Sequence, residues 1–229
     1  MWGEDRVFYF RVNNVPIFAK GANFIPIDLF ENRVTSEDRD YIIKTAMNSN
    51  YNMIRVWGGG VYQPTEFYDA CDRNGLMIWQ EFMFACATYP RDQNFLHEVA
   101  LEVQETALRL ASHPSIFVFG GNNENEVGLE WYQESRDNRD LYVADYVKLY
   151  GDTVFGTLQK VLGTNFYQSE NLWVDSSPSN GLLSVEPYVK RWTRASTEAA
   201  GDMHFYDYSM DCELDGNFPK ARFASEYGF

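Results

Sequence analysis

The stretch IFVFGGNNENE, residues Ile116–Glu126, is the part of the sequence that decides the fold. Its first half, Ile116–Gly120, is a continuous apolar run, which is typical of a strand covered on both faces of a parallel sheet. An amphipathic helix is predicted before it, from about Asn94 to Ser112, and Pro114 ends that helix. A helix, then a buried strand, then a polar turn is the repeating unit of an α/β fold.

The same kind of short apolar run recurs along the whole chain, between amphipathic or irregular connections. Seven strands are predicted on this pattern: Ile17–Gly21, Asn52–Trp57, Leu76–Gln80, Ile116–Gly120, Leu172–Asp175, Asp202–Tyr206 and Ala221–Ser225. The segments Ser176–Gly201 and Asp207–Lys220 are predicted to be mostly loop. We therefore expect an α/β fold, an incomplete (β/α)8 TIM barrel of about seven strands. The eighth strand is missing at the C-terminus, because the chain ends directly after the seventh.

The remaining elements have readable boundaries. A capping-box pattern at Thr35–Asp38 predicts a helix start, a second helix is predicted over Pro64–Gly75, and a long one over roughly Arg139–Leu162. A hairpin formed by Val7–Val12 and Val15–Phe18, with its turn at Asn13-Asn14, is expected to lead into the first strand. The whole chain, residues 1–229, is thus predicted to be one partial domain.

Composition excludes several classes of function. The 19 basic and 33 acidic side chains give a formal net charge of −14, which disfavours nucleic-acid binding because that needs clustered cations. No apolar run approaches the roughly 18 residues of a membrane span. The first residues, Met1–Asp5, have neither the basic nor the apolar region of a signal peptide. Aromatic residues make up 17% of the chain and suit both a core and a platform for sugar faces.

Functional residues of a barrel lie where strands end, and two predicted strand ends carry a glutamate beside glycines: Glu124 and Glu226. A pair of carboxylates is the chemistry of glycoside hydrolysis, in which one acid protonates the leaving oxygen and the other attacks or activates water. Taken singly, Glu124 is equally well explained as a first-turn helix carboxylate, and Glu226 as a solvated loop acid.

Other chemistries lack their patterns. There is no HExxH, GxSxG or P-loop motif, and no His/Cys cluster, so we expect no metal and no cofactor. The histidines are scattered along the chain: His97, His113 and His204. The cysteines are expected to be free or buried thiols without a catalytic role: Cys71, Cys86 and Cys212.

Six segments closely resemble the β-mannosidases of glycoside hydrolase family 2, and most of all their animal lysosomal type. They are FAKGANFIP (Phe18–Pro26), RVWGGGVYQ (Arg55–Gln63), WQEFMFAC (Trp79–Cys86), GGNNENE (Gly120–Glu126), GDMHFYDY (Gly201–Tyr208) and ARFASEYGF (Ala221–Phe229). The resemblance implies exo-hydrolysis of terminal, non-reducing β-D-mannose of glycans with retention of anomeric configuration, and a β-mannoside oligosaccharide as substrate.

The resemblance also implies site residues. Glu124 is similar to the general acid/base and Glu226 to the nucleophile. The implied substrate-binding residues are Asn123 at the sugar 2-hydroxyl, Arg55 and Tyr206 holding the nucleophile, Trp57 as a subsite wall, and His204 and Trp192. A general acid must start protonated, so we expect burial and the charge of Glu226 to raise the pKa of Glu124.

Alternatives remain at this point. Another exo-β-glycosidase of the same family, of β-glucuronidase or β-galactosidase type, fits the same carboxylate pair, and so does a catalytically silent carbohydrate-binding homologue. By resemblance, the parent protein is expected in the lysosome. Enzymes of this family have a sugar-binding-like and an immunoglobulin-like β-sandwich domain before the barrel and an eighth strand after it. Because these are absent, the chain alone is expected to be nearly inactive.

Overall fold

The computed structural model describes residues 8–163, 173–179, 195–198 and 201–228. The fold begins with the predicted hairpin, in which β1 (Phe10–Val12) pairs antiparallel with β2 (Val15–Ile17). The two turn residues, Asn13 and Asn14, have φ angles of 50° and 66°. Positive φ at both central positions is what a type I′ turn requires, and Asn tolerates it better than most residues.

A five-stranded parallel sheet forms the centre of the molecule. Its strands pair in chain order: β3 (Gly21–Phe24), β4 (Met53–Val56), β5 (Met77–Glu81), β6 (Ile116–Gly120) and β7 (Trp173–Val174). Two further strands, β8 (Met203–Tyr206) and β9 (Ala224–Gly228), form a separate parallel pair. All seven predicted strands overlap an observed one. The predicted α/β class with parallel strands is therefore confirmed, although the first and last strands lie a few residues later than expected.

Helices connect the strands. They are α1 (Ser36–Asn48), α2 (Thr65–Asn74), α3 (Gln93–Leu110), α4 (Gln133–Asp137), α5 (Arg139–Tyr146) and α6 (Gly156–Leu162), with 3-10 turns at Glu31–Arg33, Val127–Glu130 and Asp215–Asn217. The capping box at Thr35 and Asp38 is present, and Gly75 ends α2 in the left-handed conformation.

The helix expected over Arg139–Leu162 is divided by a π-helical stretch, Val147–Phe155. This stretch contains Gly151, a weak helix former, and Thr153, whose hydroxyl donates to the carbonyl of Lys148 at 2.9 Å. A side-chain hydroxyl that bonds to the backbone competes with regular helix hydrogen bonds.

The five-stranded sheet is buried on both faces, and its two ends differ in polarity. One face packs against helices through residues such as Ile54, Val56 and Ile78. The opposite face is apolar at the start of the strands, where five buried residues form one cluster: Phe10, Met53, Trp79, Val118 and Val174. Further along the same face the strands end in polar residues, because side chains two positions apart share a face.

A seam separates β3 from β9. In the described part of the chain these strands share no ladder, and Asn23 Nδ2 crosses the seam to donate to the carbonyl of Ser225 at 3.1 Å. A groove of about 890 Å³ lies along it, lined by residues from both sides. Within the described ranges, no helix is both long and apolar enough to cross a lipid bilayer.

Candidate active site

The carboxyl ends of the strands bring their polar side chains to one place. The contributors are Arg55 on β4, Glu81 on β5, Asn123 and Glu124 after β6, Ser177 after β7, His204 and Tyr206 on β8, and Glu226 on β9. Beyond the strands, single bridges join Ala85 to Asn123 and Asn123 to Ser177. These bridges fix the loops that carry the site.

Arg55 lies at the centre of the site and donates hydrogen bonds to four other residues. Its guanidinium is buried, and all five of its N–H donors are used. Nε and Nη2 donate to Glu81 Oε1 at 3.0 and 2.7 Å. Nη1 donates to Asn23 Oδ1 at 2.7 Å and to Glu226 Oε1, and Nη2 also donates to Asn123 Oδ1 at 2.7 Å. A guanidinium held by so many acceptors has little freedom to move.

Glu81 is the fully buried counter-charge of Arg55. Its other oxygen, Oε2, accepts the backbone N–H of Gly58 at 2.8 Å. A Cβ at Gly58 would lie 2.7 Å from the carbonyl oxygen of Phe84 and 2.9 Å from that of Phe82, so only glycine fits this approach. The sequence RVWGGG therefore supplies both the guanidinium and the backbone donor that hold Glu81.

Glu226 is held from two sides. Arg55 contacts its Oε1, and the Tyr206 hydroxyl donates to its Oε2 at 2.9 Å. Burial and the neighbouring Glu226 raise the pKa of Tyr206, so its hydroxyl stays a proton donor. The side chain of Glu226 is 10% exposed, so it is not fully closed off from solvent.

Glu124 faces Glu226 across the site. Its backbone has a φ of 62°, in the left-handed region, and its N–H donates to the carbonyl of Ser177 at 2.7 Å. Its Oε1 lies 2.7 Å from His204 Nδ1, and Cys86 Sγ lies 3.4 Å from its Oε2. The carboxylates of Glu124 and Glu226 approach within 4.8 Å, measured between one oxygen of each.

The expected rise in the pKa of Glu124 is wrong for this arrangement. Burial acts to raise that pKa, but the hydrogen bond and charge of His204, together with the Cys86 hydrogen bond and the charge of Arg55, outweigh it and hold the pKa of Glu124 below its ordinary value. The expected rise depended on burial and Glu226 alone, because His204 lies 80 residues away in the sequence and no local pattern indicates its contact with Glu124.

His204 is fixed from behind by a buried polar group. Its Nε2 lies 3.0 Å from Ser177 Oγ, which also lies 2.6 Å from Asp202 Oδ2. Ser225 Oγ donates to the same oxygen of Asp202 at 2.6 Å, and the Ser179 N–H donates to Oδ1 at 2.8 Å. Asp202 itself is fully buried.

The structure brings together most of the residues proposed from sequence: Arg55, Asn123, Glu124, His204, Tyr206 and Glu226. Trp57 is half-buried directly after β4, with its ring lying over Gly59. Trp192 lies outside the described residues.

Sequence reasoning missed several members of the site: Asn23, Glu81, Cys86, Ser177 and Asp202. Glu81 gave a usable signal, because it directly follows the predicted strand Leu76–Gln80. A carboxylate at that position is expected at the polar edge of the sheet. The serines and Asn23 have no such signal.

Glu124, His204 and Glu226 carry atoms of the types that bind divalent cations, and these atoms lie within 4.8 Å of one another. The guanidinium of Arg55 already donates to Glu226 and supplies a positive charge there. This geometry therefore fits a hydrogen-bonded carboxylate site better than a metal centre.

Comparison with known proteins finds β-mannosidases among both the curated relatives and the solved structures, although no protein-family model matches the chain. The β-mannosidase of goat (Capra hircus) is 44% identical over 233 residues, covering 97% of this chain and 25% of the goat protein. The probable β-mannosidase of Caenorhabditis elegans is 35% identical over 235 residues, covering 98% and 24%. The structure of the β-D-mannosidase from Dictyoglomus thermophilum superposes with a TM-score of 0.72 at 32% identity, over 95% of this chain and 24% of that chain. The chain spans about a quarter of the length of the curated relatives it matches.

Proposed function

The chain belongs to the β-mannosidase family of glycoside hydrolases, and on this premise we propose that the protein carrying it is a retaining exo-β-mannosidase. Its substrate is a glycan with a terminal, non-reducing β-D-mannose. The observation that carries this proposal is the pair formed by Glu124 and Glu226, whose carboxylates approach within 4.8 Å while Arg55 and Tyr206 hold Glu226.

Glu226 is the nucleophile in this proposal. Its oxygen attacks the anomeric carbon while Glu124 gives a proton to the departing glycosidic oxygen, which leaves with the electron pair of the broken bond. In the second step Glu124 takes a proton from water, whose oxygen displaces Glu226 from the sugar. Two displacements on one carbon restore the original configuration.

The carboxylate separation supports retention. Inverting enzymes keep their carboxyl groups roughly 6.5–9.5 Å apart to leave room for water, whereas retaining enzymes hold them at roughly 5–5.5 Å. An approach within 4.8 Å between single oxygens fits the shorter range.

Asn123 is proposed to bind the sugar 2-hydroxyl. Its Oδ1 accepts from Arg55, which leaves Nδ2 as the group that faces the site. In the structure Nδ2 lies 3.4 Å from Cys86 Sγ, which is a weak acceptor. A sugar hydroxyl is a better acceptor, so Nδ2 is proposed to donate to the oxygen of the 2-hydroxyl and to orient it. The O–H of that hydroxyl becomes a stronger donor as positive charge develops on the ring, which strengthens its own bond to a carboxylate in the transition state. We assign Trp57 to a wall of the mannose subsite and, by resemblance alone, Trp192 to substrate binding.

The described strands are proposed to be part of a (β/α)8 barrel. The groove of about 890 Å³ along the seam between β3 and β9 offers the space of an eighth strand, and closure there removes two open sheet edges. Because the six sequence segments resemble the animal lysosomal type, a lysosomal location is proposed for the whole protein.

The proposal is tested with the protein expressed from its complete reading frame and three aryl glycosides: β-mannoside, β-glucoside and β-galactoside. We expect kcat/KM to be highest for the β-mannoside and to vanish in Glu226→Gln. A preference for either other sugar contradicts the mannose assignment and favours another exo-β-glycosidase. Mannose binding by calorimetry without turnover of any of the three indicates a carbohydrate-binding protein.

A further inference from the structure

The hydrogen bonds behind His204 determine which of its nitrogens carries a fixed proton. Ser177 has one hydroxyl proton, and at 2.6 Å its closest partner is a carboxylate oxygen of Asp202, which can only accept. The Ser177 proton therefore points at Asp202, and its oxygen accepts from His204 Nε2 at 3.0 Å. Nε2 must then carry a hydrogen, which leaves Nδ1 as the nitrogen that gains and loses a proton.

Nδ1 points into the proposed catalytic pair. It lies 2.7 Å from Oε1 of Glu124 and 3.4 Å from Oε2 of Glu226. A contact of 2.7 Å between an imidazole nitrogen and a carboxylate oxygen is a hydrogen bond that holds one proton between the two groups.

From this geometry we infer that His204 is a positioning residue that stores the proton Glu124 delivers, with Ser177 and Asp202 fixing its tautomer. The inference rests on the proposed function, in which Glu124 is the acid/base.

The charges around His204 favour the stored proton. Three carboxylates face it directly or through one serine: Glu124, Glu226 and Asp202. The guanidinium of Arg55 offsets part of this charge, but it is itself paired with the buried Glu81. The other titratable neighbours, Tyr206 and Cys86, have pKa values raised by burial and nearby carboxylates, and stay neutral. This excess of negative charge around the imidazole favours a proton on Nδ1.

The proton balance of the reaction follows. In the first step the proton moves from Nδ1 to Glu124 and from Glu124 to the glycosidic oxygen, as the bond between that oxygen and the anomeric carbon breaks. His204 is then neutral. In the second step Glu124 takes a proton from the attacking water, the bond to Glu226 breaks with its electron pair returning to Glu226, and the proton returns to Nδ1.

The first experiment needs no turnover. ¹⁵N NMR of histidine-labelled protein, expressed from its complete reading frame, reports the protonation of each imidazole nitrogen, and a His204→Gln sample identifies the signals. We expect Nε2 to stay protonated across the titration while only Nδ1 changes. Ser177→Ala should lose this preference and Ser177→Thr should keep it. A neutral form with hydrogen on Nδ1 overturns the inference.

The second experiment is the pH profile of kcat/KM for His204→Gln. With an unactivated β-mannoside, we expect the alkaline limb to move to lower pH, because a carboxyl then holds the proton instead of an imidazole. The move should be smaller than the roughly two units that separate the ordinary pKa values of these groups, since burial raises the pKa of Glu124 once His204 is gone. An activated aryl mannoside needs no proton and should show little change. His97→Gln, on the exposed face of α3, is the matched control and should leave the profile unchanged.

Equal losses on both substrates with an unmoved limb contradict the stored proton. If the wild-type protein turns over no β-mannoside at all, the proposed function fails, while the NMR tautomer still decides the inference about His204.

Discussion

Arg55 and Glu81 form a buried ion pair at the base of the site, with Nη2 of the arginine 2.7 Å from Oε1 of the glutamate and side chains 5% and 0% exposed. The pair holds the guanidinium in place, so that its remaining donors reach Asn123 and Glu226.

Glu81→Ala should lower the free energy of unfolding by roughly 3–5 kcal/mol, because it removes one of the two carboxylates that pair with the buried guanidinium and leaves two of its N–H donors without an acceptor. Chemical denaturation measures this. Glu130→Ala is the matched control, since Glu130 pairs with Arg139 at 3.0 Å where the two side chains are 50% and 33% exposed. Its effect should stay below about 1 kcal/mol. A loss in Glu81→Ala as small as that of the control contradicts a structural role for the buried pair.

Tyr206→Phe should lower kcat on an aryl β-mannoside by roughly 10-fold to 100-fold with little loss of stability. The change removes one hydrogen bond to a carboxylate, a contact of about 1.5–3 kcal/mol, from a tyrosine that is 48% exposed. Steady-state kinetics and a thermal melt separate the two effects. The neighbouring Tyr208→Phe, 77% exposed, serves as control. An unchanged kcat in Tyr206→Phe contradicts the role of Tyr206 in holding Glu226.

Glu124→Ala should slow poor leaving groups far more than activated ones. Only a poor leaving group needs a proton on the departing oxygen, and general acid catalysis contributes roughly 100-fold to 10,000-fold. The ratio of kcat/KM between an alkyl and a dinitrophenyl β-mannoside, measured in both proteins, reports this difference. If both substrates lose rate equally, Glu124 is not the acid.

Asp72, on α2, contacts His113 and Ser115, which directly precede β6. Burial acts to raise the pKa of Asp72, but hydrogen bonds from Ser115 and His113 outweigh it and lower that pKa. A carboxyl whose pKa is lower in the folded state stabilises the fold at pH values above its ordinary pKa of about 3.9. This stabilisation is lost as the pH falls from there through the lower pKa of the folded state.

Asp72→Asn should therefore cost about 1 kcal/mol at pH 7, and the cost should shrink below about pH 4. Urea denaturation at several pH values measures it. Asp152→Asn is the control, because Asp152 is 58% exposed and pairs only with Lys148 in the described chain. A cost for Asp72→Asn that grows as the pH falls has the wrong sign for this account.

The features that can be predicted from the sequence are those that depend on residues close together in the chain. The capping box at Thr35, the C-cap at Gly75, the Asn13-Asn14 turn and the buried strand Ile116–Gly120 all depend on neighbouring residues, and each prediction is confirmed. The resemblance to β-mannosidases is confirmed by the relatives.

What the sequence did not reveal depends on contacts between distant segments. Ser177 reaches Asp202 across 25 residues, and His204 reaches Glu124 across 80. No spacing rule connects such residues, so the polar support of the site and the direction of the Glu124 pKa shift came only from the structure.

The central claim is that Glu226 is a nucleophile, and the most direct measurement traps its covalent intermediate. A 2-fluoro sugar slows both steps by destabilising the positively charged transition state, and a good leaving group keeps the first step fast. The protein, expressed from its complete reading frame, is incubated with 2-deoxy-2-fluoro-β-mannosyl fluoride, digested and analysed by mass spectrometry. We predict inactivation with one fluoromannosyl group on Glu226 and none in Glu226→Gln. A label on another residue such as Glu124 or Glu81, or turnover of aryl β-mannoside that gives the inverted sugar, would contradict the assignment.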